Sequence, residues 1–178
     1  MNSKQTLAQQ IFTVSHLEGE FRLRSGAVSH EYFDKYLFET DPIILSDISR
    51  AMRKLVPTNV DALAGLELGG IPLVTVLSQM TGLPAIFVRK VAKSYGTGKL
   101  AEGREVQGRK LLIVEDVVTS GGQIINSTGE LRKLGAEVND VLCVIDRETG
   151  AVENLAKENL TLHSLFTMSE LRSWAKSL

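Results

Sequence analysis

From about residue 60 onward, short apolar runs alternate with segments of helical periodicity. Five apolar runs have the length of buried strands: residues 62–68, 84–90, 110–116, 140–147 and 160–167. Between them, apolar residues recur at helical spacing, and glycines such as Gly82 and Gly135 end the helices. Near-continuous apolar strands separated by helices are typical of a parallel sheet covered on both faces. The pattern therefore predicts an α/β fold with a five-stranded, mainly parallel sheet flanked by helices.

The first forty residues follow a different pattern. A helix is predicted near residues 3–13, and residues 21–38 alternate aromatic, charged and turn residues, as a small antiparallel or irregular flap would. Asp41 and Pro42 then open a helix as its cap and its first residue. The buried stripe predicted for that helix is Ile44, Ile48, Ala51 and Leu55. We call residues 1–40 the N-terminal hood.

The segment 91–109 contains four glycines and several charges between two strong strand patterns. Connections in α/β units usually take only a few residues, so one of this length is either functional or disordered. We expect a single domain over residues 1–178, in which the hood is followed by an α/β core, residues 41–178, with a mobile loop at 91–109.

Composition narrows the classes of function. The chain has 178 residues, 43% of them hydrophobic, and a formal net charge of −1, which gives no case for a nucleic-acid or membrane partner. Cys143, the single cysteine, lies in an apolar run and is predicted to be a small core residue; it suits a reducing compartment such as the cytoplasm. The three histidines have no metal-ligand spacing. Any anion site must therefore come from local clusters.

The stretch LLIVEDVVTSGG, residues 111–122, joins a strand to two acids, two hydroxyls and two glycines. Glycines where a loop turns into a helix let backbone N–H groups converge, so Thr119 to Gln123 is predicted to cradle a phosphate. Glu115 and Asp116 lie too close to hold the same phosphate and are instead predicted to accept hydrogen bonds from vicinal sugar hydroxyls. Together these features indicate a ribose 5-phosphate site.

This stretch resembles the phosphoribosyl-diphosphate signature of the type I phosphoribosyltransferases, and further motifs narrow the resemblance to the orotate phosphoribosyltransferases. Those motifs are Phe21 to Gly26 with Ser29 and Tyr32-Phe33-Asp34; Gly69-Gly70-Ile71-Pro72-Leu73; Arg89-Lys90 with Lys93 and residues 96–99; and Asp146-Arg147-Glu148 with Gly150.

The resemblance implies a Rossmann-like type I phosphoribosyltransferase fold and a reaction of pyrimidine biosynthesis. Orotate and 5-phosphoribosyl 1-diphosphate would give orotidine 5′-monophosphate and diphosphate. Mg²⁺ would be carried by the diphosphate rather than ligated directly by the protein. By family analogy, cations of the mobile loop would act on the neighbouring subunit's site in a homodimer.

The resemblance also implies roles for individual residues. Contacts with the phosphoribosyl diphosphate are expected from Gly69, Gly70, Arg89, Lys90, Lys93, Glu115, Asp116, Val117, Val118, Thr119, Ser120, Gly121, Gly122 and Gln123. Contacts with orotate are expected from Arg24, Tyr32, Phe33, Thr119 and Arg147. Lys93 and Asp116 are the predicted catalytic residues, and Lys93 would assist the leaving diphosphate, on which negative charge develops. Arg147 would grip the orotate carboxylate with two parallel hydrogen bonds.

Two departures from the family pattern and two alternatives accompany this reading. Tyr95 stands where many members have a histidine, and Gly69 replaces a lysine found in some. One alternative is a phosphoribosyltransferase for another nucleobase, against which Arg24 and Arg147 argue because they favour an anionic base. The other is a non-catalytic regulator that binds phosphoribosyl diphosphate, against which the Arg89-Lys90-Lys93 cluster argues.

Overall fold

The computed structural model describes residues 3–22, 26–92 and 99–175. Its α-helices are α1 (Lys4–Ser15), α2 (Lys35–Thr40), α3 (Pro42–Met52), α4 (Gly70–Thr81), α5 (Gly122–Lys133), α6 (Ala151–Lys157) and α7 (Met168–Ala175). Its strands are β1 (His16–Arg22), β2 (Val28–Phe33), β3 (Ala62–Leu66), β4 (Ala85–Val88), β5 (Ala101–Glu102), β6 (Lys110–Val118), β7 (Glu137–Asp146) and β8 (Thr161–Thr167).

The central sheet has six strands in the order β5-β4-β3-β6-β7-β8. The five predicted strands are confirmed as β3, β4, β6, β7 and β8, and they pair in parallel. The predicted strand count was one short, because β5 pairs antiparallel with β4 at the edge of the sheet. β5 has only two residues, so it gives no periodic signal in the sequence.

Two apolar clusters cover the two faces of the sheet. One cluster contains residues of α1 to α4 and α7, and the other contains residues of α5 and α6. Cys143 is fully buried in the second cluster, which confirms it as a core residue. Burial raises the pKa of its thiol well above the usual value, so the thiol stays protonated.

The hood combines a small sheet with a helix that belongs to the core. β1 and β2 form a two-stranded antiparallel sheet of their own. The flap predicted for residues 21–38 is thus only partly correct, because β1 begins earlier, at His16, and residues 35–38 belong to the helix α2. The predicted first helix is α1, and its Leu7, Ala8 and Ile11 are buried in the first apolar cluster. α1 packs against α7. The N-terminal helix is therefore part of the main packing, and so is α2 through the fully buried Phe38.

Local signals set the ends of several helices. Gly82 and Gly135 have positive φ angles of 77° and 83°, as expected of glycines that terminate helices. Thr167 and Glu170 exchange the two hydrogen bonds of a capping box, through the N–H of each residue and the side chain of the other. Leu55 was wrongly placed in the buried stripe of α3: that helix ends at Met52, and Leu55 is exposed. No helix in the described ranges is long and apolar enough to cross a membrane.

Candidate active site

The predicted site residues converge at one edge of the sheet. Gly69-Gly70 follows β3, Arg89-Lys90 follows β4, Thr119 to Gln123 follows β6 and Arg147 follows β7. The carboxyl ends of parallel strands meet at the same edge, where ligands bind in open α/β sheets. The predicted motifs also contain Arg24, Lys93 and Tyr95, which lie outside the described residues.

The first turn of α5 forms the predicted phosphate cradle. Glu115 and residues 117–124 line a cavity of about 120 Å³ at this point. Gly121 has a φ angle of 81°, and α5 begins at Gly122 without a side-chain cap and with no acid in its first turn. The N–H groups at the start of the helix are therefore free of an internal carboxylate and suit an anion. Asn154 anchors the cradle by donating a hydrogen bond of 3.1 Å from Nδ2 to the carbonyl oxygen of Ser120.

Glu115 and Asp116 face opposite sides of the sheet. Successive side chains of a strand alternate between its faces, and only Glu115 of the two lines the cradle cavity. Burial, and then the neighbouring charge of Asp116, raise the pKa of Glu115 to about 8. A carboxyl group with this pKa is largely protonated at neutral pH, so it can donate as well as accept a hydrogen bond.

Asp116 is buried beneath the glycines that follow β3. Its side chain is 1% exposed, and its Oδ2 lies 2.6 Å from Nζ of Lys35, which comes from α2 of the hood. Its Oδ1 accepts a hydrogen bond from the backbone N–H of Val117. A β-carbon on Gly69 would overlap the Asp116 carboxylate. The two predicted donor motifs, Gly69-Gly70 and the acidic pair, therefore touch, and Lys35 reaches them from an element that the sequence did not connect to the site.

The segments that follow β3 and β4 are tied together. Glu67 Oε1 accepts a hydrogen bond of 2.6 Å from the backbone N–H of Lys90. Arg89 is held at the same place: its Nε lies 3.2 Å from Glu102 Oε1, and its N–H donates to the carbonyl of Leu100. These contacts hold Lys90 to the segment after β3, and they hold Leu100 and Glu102 of the 91–109 loop to the end of β4. The peptide bond between Glu67 and Leu68 is cis.

A second cavity, of about 190 Å³, lies between the hood and the end of β7. Three of the predicted orotate contacts line it, namely Tyr32, Phe33 and Arg147. Its other lining residues are Phe12, His16, Ser29, Glu31, Met168 and Arg172. The guanidinium groups of Arg147 and Arg172 and the single carboxylate of Glu31 line this cavity, so its excess of positive charge suits an anionic ligand.

Glu31 organises the polar wall of this second cavity. It accepts a hydrogen bond of 2.9 Å from His16 Nε2 and one of 3.1 Å from Arg172. The hydrogen bond from His16, and then the charge of Arg172, lower the pKa of Glu31. Sequence reasoning missed all three residues, because they come from β1, β2 and α7 and carry no motif that would join them.

Among the residues that the structure describes, no group of three or more His, Cys, Asp or Glu side chains is arranged to hold a metal ion. Mg²⁺ prefers oxygen ligands and is commonly bound through one or two carboxylates together with substrate phosphates. Glu115 presents a carboxyl group beside the cradle.

Comparison with known proteins agrees with this geometry. Residues 38–164 match the family profile described as phosphoribosyl transferase domain. A protein of Nocardioides sp. named orotate phosphoribosyltransferase is 50% identical over 166 residues, which are 93% of either chain. The Mycobacterium tuberculosis orotate phosphoribosyltransferase in complex with Fe(III) dicitrate is 33% identical with a TM-score of 0.85, covering 94% of this chain and 98% of that one. The same enzyme in complex with 5-phospho-alpha-D-ribosyl 1-diphosphate is 30% identical with a TM-score of 0.81, covering 95% and 98%.

Proposed function

Because the chain belongs to the phosphoribosyl transferase family and, within it, to the orotate phosphoribosyltransferases, we propose that it transfers the 5-phosphoribosyl group to orotate. The substrates are 5-phosphoribosyl 1-diphosphate and orotate, and the products are orotidine 5′-monophosphate and diphosphate. The reaction is a step of pyrimidine biosynthesis, and it makes the chain a pentosyltransferase.

The observation that carries this proposal is the junction of β6 with β7. The backbone N–H of Arg147 donates a hydrogen bond of 2.9 Å to the carbonyl of Val118, the residue that precedes the cradle. The cradle and the cation of the second cavity therefore leave adjacent strands at the same level. A phosphate at Thr119 to Gln123 and an anionic base beside Arg147 would have the ribose between them.

On the donor side, the cradle takes the 5′-phosphate through the N–H groups and hydroxyls of residues 119–123. Glu115 lines the same cavity, and its carboxyl group is the partner we assign to the ribose hydroxyls. Asp116 supports that site from the opposite face of the strand. In the described conformation its Oδ2 faces Lys35, so direct contact with a hydroxyl would require Lys35 to move.

The chemistry breaks the bond between ribose C1 and the diphosphate oxygen and forms the bond from C1 to a ring nitrogen of orotate. Positive charge develops on the ribose ring and negative charge on the leaving diphosphate. Arg89, Lys90 and Lys93 are the cations we assign to that diphosphate, and Mg²⁺ bound to its oxygens would neutralise part of the same charge. Substitution of Lys93 by alanine should lower kcat by orders of magnitude, as measured with saturating substrates.

On the base side, Arg147 holds the orotate carboxylate, and the Tyr32 ring offers a surface for the pyrimidine. Tyr32 is 45% exposed and packs at 5.4 Å, centroid to centroid, on Phe21. Phe33 lines the cavity and also takes part in the packing of the hood, because its ring packs against Phe12 and Phe38. Arg24 and Thr119 are the remaining contacts that we assign to the base.

We also assign a homodimer, with loop cations shared between subunits, and a cytoplasmic location. Support for the dimer comes from apolar side chains beside Lys90: Val91 is 77% exposed and Leu68 is 62% exposed. Glu67, the neighbour of Leu68, contacts Lys90, so these apolar side chains lie close to the donor site. Light scattering coupled to size-exclusion chromatography tests the assignment, and a monomer at micromolar concentration would contradict it.

The test of the proposed function is consumption of the base. Orotate absorbance should fall when the purified chain, Mg²⁺ and 5-phosphoribosyl 1-diphosphate are all present, and it should be constant when the donor is omitted. Uracil and hypoxanthine are the comparison bases. Turnover with either of them but not with orotate would replace the proposal by the other-nucleobase alternative, and donor binding without turnover of any base would favour the regulator.

A further inference from the structure

The short helix α2 of the hood carries a buried acid to which no role has been given above. Glu39 is 3% exposed, and its Oε1 has no hydrogen-bond partner among the described residues. A buried polar group without a partner is costly, so a neighbouring group normally compensates for it. The groups that surround Glu39 therefore determine its protonation and its hydrogen bonding.

The side chains of Glu39 and Asp116 converge on the space where a side chain of Gly69 would lie. A β-carbon on Gly69 would overlap Asp116 Oδ2 and would lie 2.9 Å from Glu39 Oε1. The two carboxyl groups thus occupy the volume that a side chain at this position would need. Lys35 precedes Glu39 by one helical turn on the same face of α2, and its Nζ lies 2.6 Å from Asp116 Oδ2. α2 therefore presents an ammonium and a carboxyl group to one acid of the donor motif.

The charges at this point determine the protonation of Glu39. Asp116 and Glu115 from β6 and Lys35 from α2 are the charged groups of the described chain that act on it. Burial, and then the neighbouring carboxyl group of Asp116, raise the pKa of Glu39 to about 9. Glu39 is therefore neutral at physiological pH, and its hydroxyl can donate to Asp116. The Asp116 carboxylate then has the N–H of Val117 at Oδ1 and the Lys35 ammonium 2.6 Å from Oδ2, and the protonated Glu39 would supply a third donor.

We propose that Lys35 and Glu39 are positioning residues for the phosphoribosyl-diphosphate site, where they hold the Asp116 carboxylate beneath Gly69 and couple the hood to donor binding. The proposal rests on the proposed function, because it takes Asp116 and Gly69 as parts of the donor site. It adds two residues of the hood to a site otherwise built by the core, and it gives the neutral Glu39 a role as a hydrogen-bond donor.

The proposal predicts a selective loss of donor affinity. Without Lys35, the buried Asp116 carboxylate loses the cation that lies 2.6 Å from its Oδ2, so it should turn away or take up a proton. Loss of one charged hydrogen bond corresponds to about tenfold or more in affinity. The KM for orotate should change by less than about threefold, because the second cavity, which we assign to orotate, is lined by neither Lys35 nor Glu39.

The experiment is calorimetric titration of 5-phosphoribosyl 1-diphosphate with Mg²⁺ and without orotate into the wild type and matched variants. Lys35→Met should weaken donor binding by about tenfold or more, and Lys35→Arg should restore most of it, because the cation returns. Lys157→Met, an exposed lysine of α6, is the control and should bind as the wild type does. Glu39→Gln keeps a donor and should bind as the wild type does, whereas Glu39→Ala should bind more weakly.

The outcomes separate the inference from the proposed function. If the wild type binds the donor and Lys35→Met binds equally well, the positioning role is wrong while the proposed function stands. Equal affinities of Glu39→Gln and Glu39→Ala would also overturn the role of Glu39. If Lys35→Met raises the KM for orotate as much as it weakens donor binding, its effect is structural and the inference is wrong. A wild type that does not bind the donor overturns both.

Discussion

The side chain of Glu67 accepts a hydrogen bond of 2.6 Å from the backbone N–H of Lys90. This contact joins the segment after β3, which carries Gly69-Gly70, to the segment after β4, which leads into the 91–109 loop. Two regions that are predicted to contact the same diphosphate are thus fixed to each other by one glutamate. The position of the loop's first residues relative to the diphosphate therefore depends on a residue outside every recognised motif.

Replacing Glu67 with alanine should lower kcat/KM for the donor by about tenfold, because the N–H of Lys90 loses its hydrogen bond to the Glu67 carboxylate at the start of the loop. Glu67→Gln keeps the acceptor oxygen and should retain most of the activity. Steady-state kinetics with varied donor checks this. Equal activity of the alanine and glutamine variants would show that the hydrogen bond does not position the loop.

Gly69 should not tolerate a side chain. Gly69→Ala puts a methyl group into the Asp116 carboxylate, and overpacking of this kind costs about 1–3 kcal/mol of the free energy of unfolding. Gly129→Ala is the matched control, because a β-carbon there meets nothing within 4 Å inside helix α5. That control should gain about 0.5–1 kcal/mol. Denaturant unfolding of both variants tests the pair, and a Gly69→Ala chain as stable as the wild type would contradict the described packing.

Arg147 should act on the base alone. Arg147→Ala should raise the KM for orotate by about tenfold to a hundredfold, because a charged, two-pronged hydrogen bond is lost. The KM for the donor should change by less than about threefold. Arg147→Lys should recover only part of the loss, since an ammonium cannot form the paired geometry. An equal rise in both KM values would place Arg147 outside the base site.

The raised pKa of Glu39 should make the stability of the folded chain depend on pH. Its folded pKa of about 9 lies above the ordinary value of 4.5, so folding favours the protonated acid. The stability contributed by this group is full below about pH 4.5 and is lost progressively as the pH rises toward 9. The Glu39→Gln variant lacks this titration, so its Tm should exceed that of the wild type by an amount that grows between pH 5 and pH 9. A difference that stays constant over this range would mean that Glu39 is ionised in the folded chain.

The sequence predicted the core of the fold because each strand is an almost unbroken apolar run with glycine-terminated helices between. It missed β5, whose two residues pair with β4 only because the chain folds back at the sheet edge. β7 also begins three residues earlier than predicted, at Glu137. The first residues of this strand alternate between exposed polar and buried side chains, so they do not extend the apolar run from which the strand was predicted. Leu134 fits the helical spacing but is exposed, since α5 ends at Lys133.

The parts of the site that are continuous in sequence were predictable, and those assembled across the fold were not. The cradle at Thr119 to Gln123 follows from local backbone geometry and the start of a helix. The sequence predicts the same sugar contacts for Glu115 and Asp116, but it does not show that strand alternation places their side chains on opposite faces of the sheet. Lys35 and Glu39 lie on α2, most of which falls within the segment that the sequence predicts as a flap, and only the packing of this helix onto the core brings them to Asp116.

The most direct test of the account is the stoichiometry of the reaction. With Mg²⁺ and excess donor, the purified chain should release one diphosphate for each orotate consumed, and the nucleotide formed should have the mass of orotidine 5′-monophosphate. Diphosphate release without loss of orotate, or unchanged orotate while another nucleobase is consumed, would contradict the assignment of the chain as an orotate phosphoribosyltransferase.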